Sequence, residues 1–337
     1  MKSNGASMRA LVLESYGSPL KLTVMSRPTP AHGQVLVRIM ASGVNPLDLK
    51  IRAGQAAHAK TRPPAVLGID LAGIVEEVGA NVTGVTHLKP GDEVFGMTGG
   101  IGGVQGSLAE FAAVDADLLA IKPKRWSMRE AAAVPLTFIT AWEGLVDRAN
   151  VHAKQKVLIH RGAGGVGHMA VQIARARGAE VFATEVAPRM AGLEQLGAVA
   201  IDHLTATSDY VAKYTGGQGF DIVYDTAGGA TLDASFAAAR TYVGHVVSCL
   251  GWGSHALAPL SFRGATYSGV FTLLPLLTGQ HRAHHGYILS EAAKLAEAEK
   301  LTPHLDPRRF TLASIEDAYA TIEARDARGK IVIDIAT

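Results

Sequence analysis

The chain has 337 residues, of which 48% are hydrophobic and 18% charged, and its formal net charge is +2. This length allows two domains, and the near-neutral charge argues against a nucleic-acid partner or a polybasic membrane surface. No apolar run approaches the roughly 20 residues of a membrane-spanning helix. Met1–Ser7 lacks the apolar core of a signal peptide. The single cysteine, Cys249, excludes a disulfide framework and is consistent with a cytoplasmic location.

Short β-rich runs separated by Gly and Pro turns fill residues 8–125, and no long helical periodicity interrupts them. The predicted strands are Met8–Leu13, Gln34–Ala41, Leu71–Gly79, Asp92–Gly96 and Leu108–Val114. This pattern is typical of a compact, barrel-like β domain.

From residue 126 onwards, strands and helices alternate, which predicts a parallel sheet covered on both faces. The predicted strands are Lys156–His160, Glu180–Thr184, Val199–Ile201, Phe220–Asp225 and Gly244–Leu250, with helices at 128–134, 137–148, 166–177, 188–196, 207–214 and 230–240. Pro135 is expected to interrupt the first two helices. An amphipathic helix is predicted in Arg282–Lys300.

Ser314 to Asp317 resembles a capping box, which would open a helix over Ile315–Arg325. The alternating run Lys330–Ile335 predicts a last strand. Because the parallel sheet is already complete, this strand is expected to return to the first domain.

The most informative stretch is the apolar strand Lys156–His160, which runs straight into a glycine-rich turn and a helix. Gly162, Gly164 and Gly167 match G-x-G-x-x-G, and Gly165 and Val166 lie within the same turn. The strand–turn–helix order is the context in which this motif indicates a dinucleotide site, with the pyrophosphate on backbone amides at the helix start. The alternative is a glycine turn of the kind found in α/β proteins that bind no dinucleotide.

Glu185 follows the next strand, 18 residues after Gly167. That is near the offset of about 20 residues at which an acidic side chain binds the ribose hydroxyls of NAD. Glu185 would repel the 2′-phosphate of NADP, whereas Arg189 could bind that phosphate or pair with Glu185. These residues therefore do not decide whether the cofactor is NADP(H) or NAD(H).

Four stretches resemble the zinc-independent quinone oxidoreductase branch of the medium-chain dehydrogenase/reductase superfamily. They are Ala41–Asp48, Leu67–Val75 with Lys89–Phe95, Pro135–Trp142, and the glycine turn with its strand. The resemblance implies an α/β fold in which a Rossmann doubly wound parallel sheet (126–299) follows a GroES-like β-barrel catalytic domain (8–125, completed by about 300–337). It also implies a nicotinamide dinucleotide in a cleft between the domains, and a homodimer.

The residue types argue against zinc, which takes cysteine, histidine or carboxylate ligands. In the zinc alcohol dehydrogenases that the chain resembles, a cysteine falls where this chain has Asn45, and Gly-His-Glu falls at Gly68–Asp70. We therefore expect no metal. The group His281, His284 and His285 is the remaining metal candidate, and its alternative interpretation is a solvated stretch that opens a surface helix.

Without a metal, a nicotinamide site suits an acceptor such as a quinone, which needs hydrogen-bond donors near its developing oxyanion. An alcohol would need a base or Lewis acid, and no assembled candidate is evident. By resemblance Asn45 lies near nicotinamide and substrate, or is a turn residue before Pro46. Asp48 is a turn or helix cap, or holds a neighbouring side chain. Lys50 could stabilise an oxyanion or extend into solvent.

The resemblance places further residues along the cofactor. They are Thr140, Ala227, Leu250, Gly251, Val270, Phe271 and Lys330. The resulting hypothesis is a zinc-independent NAD(P)H-dependent oxidoreductase that transfers a hydride to a quinone or a similar conjugated carbonyl acceptor, such as an enone. The alternatives are a 2-enal or enoyl-thioester reductase, a zinc alcohol dehydrogenase, and a nucleotide-binding redox sensor with little turnover.

Overall fold

The structure, a computed structural model, describes residues 6–82 and 87–335. They divide into two compact units, one formed by residues 6–136 with 273–335 and the other by residues 137–272. Residues 126–136 and 273–299, which the sequence assigns to the nucleotide-binding domain, therefore fall in the first unit. Of the predicted non-signal segment Met1–Ser7, residues 1–5 lie outside the described part of the chain.

The first part of the chain is mostly strand, with short helical segments between the strands. Its elements are β1 (Ser7–Leu13), β2 (Lys21–Ser26), β3 (Gln34–Gly43), α1 (Pro46–Arg52), β4 (Ala65–Val66), β5 (Asp70–Val78), β6 (Glu93–Met97), β7 (Phe111–Asp115), β8 (Leu119–Ile121) and α2 (Met128–Ala132), with 3-10 turns at Ala57–Ala59 and Ala116–Leu118. The strands β2, β4 and β8 and the helix α1 were not predicted. The strand β2 is short and has no buried face, since its apolar residues Leu22 and Val24 are 48% and 70% exposed.

The middle of the chain alternates strand and helix as predicted. Its elements are α3 (Pro135–Trp142), a π-helical turn (Glu143–Arg148), β9 (Lys156–His160), α4 (Gly165–Ala176), β10 (Glu180–Glu185), a 3-10 turn (Ala187–Arg189), α5 (Met190–Gln195), β11 (Val199–Asp202), α6 (Thr207–Thr215), β12 (Ile222–Asp225), α7 (Ala230–Ala238), β13 (His245–Ser248), α8 (Ala258–Ser261) and β14 (Thr266–Gly269). Pro135 begins α3 instead of interrupting a helix, because the first helical position needs no N–H.

The last part of the chain contains α9 (Leu274–Thr278), α10 (Arg282–Glu297), β15 (Phe310–Thr311), a 3-10 turn (Leu312–Ser314), α11 (Ile315–Glu323) and β16 (Val332–Asp334). The capping-box prediction for Ser314 is wrong. The Ser314 hydroxyl accepts the N–H of Thr311 (2.9 Å) at the preceding 3-10 turn, and Ser314 makes no side-chain cap to α11.

The first unit is built on two sheets that are antiparallel apart from one strand pair. The smaller sheet has the order β2-β1-β4, and the larger has the order β15-β16-β3-β5-β6-β8, with β7 also paired to β3. The strand β3 is central, because β16, β5 and β7 all pair with it antiparallel. The last strand therefore lies beside the segment that leads into Asn45.

The helix α10 falls in the first unit, although the sequence places it with the nucleotide-binding domain. Its apolar stripe shows that one face is buried but not what covers that face. The helix packs on β8 and the neighbouring 3-10 turn, both in the first unit. At Gly286 a Cβ atom would lie 2.5 Å from the carbonyl oxygen of Asp117, so this close packing requires glycine.

The second unit contains a six-stranded parallel sheet in the order β11-β10-β9-β12-β13-β14. This is the order of a Rossmann doubly wound sheet, which confirms the predicted fold class. Aromatic side chains pack on one another beside the central strands, with the rings of Phe182 and Phe220 5.3 Å apart at 63°. No helix in the described parts of either unit is long and apolar enough to cross a bilayer.

Candidate functional site

The predicted glycine loop joins β9 to α4, with Gly164 as the N-cap residue of the helix. Gly167 is buried in the first turn, where a Cβ atom would lie 2.2 Å from the carbonyl oxygen of Arg161. Only glycine allows so close an approach of helix and strand. Gly165 is exposed, and the N–H groups of Gly165 and Val166 have no acceptor in a preceding helical turn. This loop therefore fits a pyrophosphate group.

The loop is fastened to the neighbouring strand by two backbone donors. The N–H of Gly162 donates to the carbonyl oxygen of Thr184 (3.1 Å), and the N–H of Ala163 donates to Oε2 of Glu185 (3.0 Å). The other carboxylate oxygen of Glu185 accepts the N–H of Val186 (3.0 Å). Glu185 thus lies beside the loop and is only 7% exposed. Both of its carboxylate oxygens thus accept backbone N–H groups, a role that the sequence did not indicate.

Arg189 ends the 3-10 turn after β10 and is exposed. Its alternative predicted role, an ion pair with Glu185, is not seen within the described ranges. Its guanidinium therefore remains available to an anionic group at this end of the sheet.

A buried carboxylate that was not among the predicted site residues organises the next two strand ends. Oδ1 of Asp225, a residue with no exposed surface, accepts the N–H of Ala227 (3.0 Å) and of Gly228 (3.0 Å). Its Oδ2 accepts the hydroxyl of Ser248 (2.7 Å), whose oxygen in turn accepts the N–H of Leu250 (3.1 Å). The structure thereby brings together the predicted cofactor residues Ala227 and Leu250. An acidic residue at a strand end, directly before Thr-Ala-Gly-Gly, was the available signal.

A surface depression of about 300 Å³ adjoins the same strand ends and includes the predicted residues Gly251, Val270 and Phe271. Its aromatic wall is formed by Trp252 and Phe271, whose rings meet edge to face at 6.1 Å. Such a wall offers a flat apolar surface to a planar group.

The helix α3 also contributes to this unit. Thr140 is buried, and its carbonyl oxygen accepts the Tyr224 hydroxyl (2.7 Å). Thr137 was not predicted, yet its Cγ2 would lie 3.0 Å from a Cβ atom at Gly165. One helical turn earlier than Thr140, Thr137 is therefore the helix residue that adjoins the glycine loop.

In the first unit, a buried polar cluster surrounds Asn45. Its Nδ2 donates to Oδ2 of Asp70 (2.9 Å), and its Oδ1 accepts a hydrogen bond from Nζ of Lys330. Nζ of Lys330 also lies 3.4 Å from Oδ2 of Asp70, whose Oδ1 accepts the N–H of Leu136 (2.9 Å). Asn45 and Lys330, both predicted, are thus brought together, and Asp70 joins them.

Asp48 lies beneath this cluster as the third residue of α1. Its Oδ2 accepts the N–H of Asn45 (2.8 Å) at the start of α1, so Asp48 has the predicted role of a helix cap. Burial is the main reason that the pKa of Asp48 rises to about 7, and burial also raises the pKa of Asp70. Lys50, the other predicted catalytic residue, is exposed on the same helix.

Asp48 and Asp70 carry carboxylates, but among the described residues they form no metal-binding group with a third ligand. Across residues 6–82 and 87–335, no group of three or more His, Cys, Asp or Glu side chains has an arrangement that could hold a metal ion. His281, His284 and His285 lie at the start of α10, and His285 is fully buried.

Two family models match the chain. Residues 31–124 match the alcohol dehydrogenase GroES-like domain, and residues 196–333 match a domain described as zinc-binding dehydrogenase. Among curated proteins, the chain is 33% identical to a 2-methylene-furan-3-one reductase of Solanum lycopersicum, covering 97% of this chain and 79% of that protein. It is also 33% identical to a chloroplastic NADPH-dependent alkenal/one oxidoreductase of Arabidopsis thaliana, with the same coverage.

Other relatives are parts of larger proteins. Over 61% of this chain, the identity to the polyketide synthase protein NorB of Streptomyces orinoci is 44%, and the match covers only 9% of that protein's length. Among solved structures, an alcohol dehydrogenase superfamily protein from Novosphingobium aromaticivorans is 56% identical with a TM-score of 0.95, covering 98% of this chain and all of that one. A quinone oxidoreductase from Coxiella burnetii is 27% identical with a TM-score of 0.81, covering 98% of this chain and all of that one.

The fold, the glycine loop and these matches together define a nicotinamide-type oxidoreductase. The chain belongs to the medium-chain dehydrogenase/reductase (alcohol dehydrogenase-like) superfamily.

Proposed function

We propose that the protein is an NADPH-dependent reductase of conjugated carbonyl compounds, namely enones and enals, that works without zinc. The glycine loop of the second unit carries the proposal, because its exposed amides and its fastening to Glu185 fit a dinucleotide pyrophosphate. The relatives named for reducing a 2-methylene-furan-3-one and alkenals or alkenones support this acceptor class.

The cofactor is proposed to lie along the carboxyl ends of the parallel strands. Gly164, Gly165 and Val166 would bind the pyrophosphate, while the residues at 227, 250–251 and 270–271 would line the path to the nicotinamide. When bound, the dinucleotide supplies the hydride. The protein's part is to orient it and to stabilise charge on the acceptor.

The hydrogen bonds of Glu185 and the exposure of Arg189 favour NADPH over NADH. Both carboxylate oxygens of Glu185 already accept backbone N–H groups, so Glu185 is proposed to tether the loop more than to read the ribose. Arg189 is exposed and suits a 2′-phosphate. Zinc independence rests on the residue types at Asn45 and Ile69, neither of which is a good zinc ligand.

An acceptor panel tests the proposal. NADPH and NADH oxidation would be followed with an enal, an enone, an ortho-quinone and an enoyl thioester, with metal content measured on the same sample. We expect fast NADPH-dependent reduction of the enal and enone by metal-free protein. A quinone is the second candidate acceptor, favoured by the likeness to the Coxiella burnetii enzyme. Oxidation of neither dinucleotide would contradict the proposal and leave the redox-sensor alternative.

Two variants test the cofactor assignment. Arg189→Ala should raise the KM for NADPH about tenfold or more and leave that for NADH unchanged, because one charge-assisted contact to phosphate is lost. Glu185→Ser should weaken both dinucleotides if Glu185 tethers the loop. A selective gain for NADPH would instead assign Glu185 to cofactor discrimination.

Two further proposals concern the oligomeric state and the cellular location of the protein. A homodimer is proposed, and light scattering in solution would test it. The cytoplasm is proposed as the location on the basis of the single cysteine, and cell fractionation would test that.

A further inference from the structure

We propose that protonated His255 is a positioning residue for the aromatic wall of the surface depression. It holds the segment that carries Trp252 against α7, so that the wall is in place to bind the nicotinamide ring. This inference rests on the proposed cofactor function and deepens it. All of the residues involved belong to the second unit, and His255 was not among the predicted site residues.

The segment that follows β13 is exposed and rich in glycine. Gly251 and Gly253 flank Trp252, and residues 251–254 and 256–259 are all exposed. Gly253 has a φ of +100°, in the left-handed region that favours glycine, and nothing would lie within 4 Å of a Cβ atom there. Two flanking glycines give the backbone around Trp252 wide conformational freedom, so the position of its ring depends on a contact nearby.

His255 supplies that contact. Its side chain is only 12% exposed, although the residues on both sides of it are exposed. The ring lies edge to face against Phe236 of α7, with the centroids 6.5 Å apart at 87°, and Phe236 belongs to the hydrophobic core of the unit. Nδ1 lies 2.8 Å from Oδ1 of Asp233, also on α7, and Nε2 lies 3.2 Å from the carbonyl oxygen of Trp252. These two hydrogen bonds, here called the His255 bridge, connect Trp252 to the helix.

The chemistry of the two partners decides which form of the ring makes both bonds. A backbone carbonyl oxygen only accepts hydrogen bonds, and so does an ionised carboxylate. Neutral imidazole has one N–H, whereas imidazolium has two. Only the imidazolium can therefore donate to Asp233 and to Trp252 at the same time. Loss of its proton removes one of the two bonds and opens the His255 bridge.

The charged groups around the ring favour this proton. The hydrogen bond to Asp233 is the main reason that the pKa of His255 is raised above its ordinary value of 6.5, against the opposing effect of burial. The contact with the Trp252 carbonyl and the negative charges of Asp233 and Asp225 also raise it. A group whose pKa is raised in the folded state loses its stabilising contacts as pH rises through that pKa. The His255 bridge is therefore closed at lower pH and opens above the pKa.

The aromatic wall is where this bridge acts on the cofactor. The rings of Trp252 and Phe271 meet edge to face at 6.1 Å, and they are 54% and 36% exposed. When the His255 bridge opens, Trp252 is no longer held beside Phe271, so a planar ring in the depression loses part of its apolar contact. We expect dinucleotide affinity to fall about fivefold, the effect of one charge-assisted hydrogen bond at a partly exposed site.

Acrylamide quenching of tryptophan fluorescence tests the bridge in the full-length protein without any cofactor. Of the three tryptophans, Trp126 and Trp142 are 6% and 2% exposed, so quenching reports mainly on Trp252. Quenching should rise as pH rises through the pKa of His255, which is followed by ¹H NMR of its ring. His255→Gln keeps an N–H donor but does not titrate, so its quenching should not change with pH. Asp233→Asn removes the main cause of the raised pKa and should move the rise to lower pH.

Dinucleotide binding is measured on the same samples. NADH is used beside NADPH because it lacks the 2′-phosphate, a group that itself titrates near about pH 6. The Kd of wild type for NADH should rise about fivefold across the pH range of the quenching change, and that of His255→Gln should stay constant. His152→Asn changes an exposed histidine of the same unit, which precedes β9 at the opposite end of the sheet. It is the matched control and should follow wild type.

The outcomes separate this inference from the proposed function. The same pH dependence of quenching in wild type and His255→Gln would overturn the His255 bridge. A quenching change that follows His255 while the affinity for NADH stays constant would overturn its role in cofactor binding. A wild type that binds neither dinucleotide would overturn the proposed function and that role with it, while quenching alone would still decide the bridge.

Discussion

The protonation of buried Asp48 should make the free energy of unfolding depend measurably on pH. Asp48 is 1% exposed, and its Oδ1 has no hydrogen-bond partner among the described residues. Burial raises its pKa from 3.8 to about 7, and the negative charge of Asp70 adds to the rise. The N–H bond from Asn45 and the charge of Lys330 act in the opposite direction without cancelling it.

The sign of the effect follows from which state holds the proton. Below a pH of about 4 the carboxyl is protonated in both the folded and the unfolded chain, and above about 7 it is protonated in neither. Between these values only the folded chain holds the proton, so the free energy of unfolding falls as pH rises. A shift of about three pKa units corresponds to a loss of about 4 kcal/mol across this window.

Urea unfolding of wild type and Asp48→Asn at a series of pH values measures this loss. Relative to Asp48→Asn, the wild type should lose about 4 kcal/mol between about pH 4 and about pH 7, with no further change above. Comparing the two proteins cancels the titration of groups that do not interact with Asp48. Asp317→Asn, which changes an exposed carboxylate of the same unit, is the control and should run parallel to wild type. Parallel curves for wild type and Asp48→Asn would refute the reasoning.

Two further predictions concern the second unit. Gly167→Ala should abolish dinucleotide binding, measured by quenching of NADPH fluorescence, and lower stability by about 1–3 kcal/mol, because its Cβ atom would lie 2.2 Å from a carbonyl oxygen. Gly192→Ala, where nothing lies within 4 Å, is the matched control, and loss of binding there too would contradict the packing argument. Burial is the main reason that the pKa of the Cys249 thiol rises to about 12, so its reaction with a disulfide reagent near pH 8 should be far slower than in urea. Equal rates in the folded and unfolded protein would contradict that pKa.

The cofactor side of the site was predictable because its signal is local. A strand, three spaced glycines and a helix lie within about two dozen residues, and Glu185 follows at the offset set by one helix and one strand. What the sequence could not show is how those residues are used. Glu185 accepts the N–H of Ala163, and Asp225 accepts hydrogen bonds from two separate loops. Both contacts form only when neighbouring strands lie side by side in the sheet.

The cluster in the first unit was only partly predictable because it is assembled from distant parts of the chain. Asn45 and Lys330 are 285 positions apart, and they meet only because β16 pairs with β3. Asp70 appeared in the sequence as a residue at a zinc-ligand position, with no indication that it would face a lysine. Lys50 was predicted either to stabilise an oxyanion or to extend into solvent, and the structure shows it exposed on α1.

Hydride transfer from NADPH to carbon without a metal is the central claim, and isotope transfer tests it most directly. Chelator-treated protein would be supplied with NADPH deuterated at C4 of the nicotinamide and with an enone, and the product examined by NMR. The account predicts one deuterium at the carbon β to the carbonyl and a rate unchanged by chelation. A product without deuterium, or activity lost on chelation and restored by zinc, would contradict it.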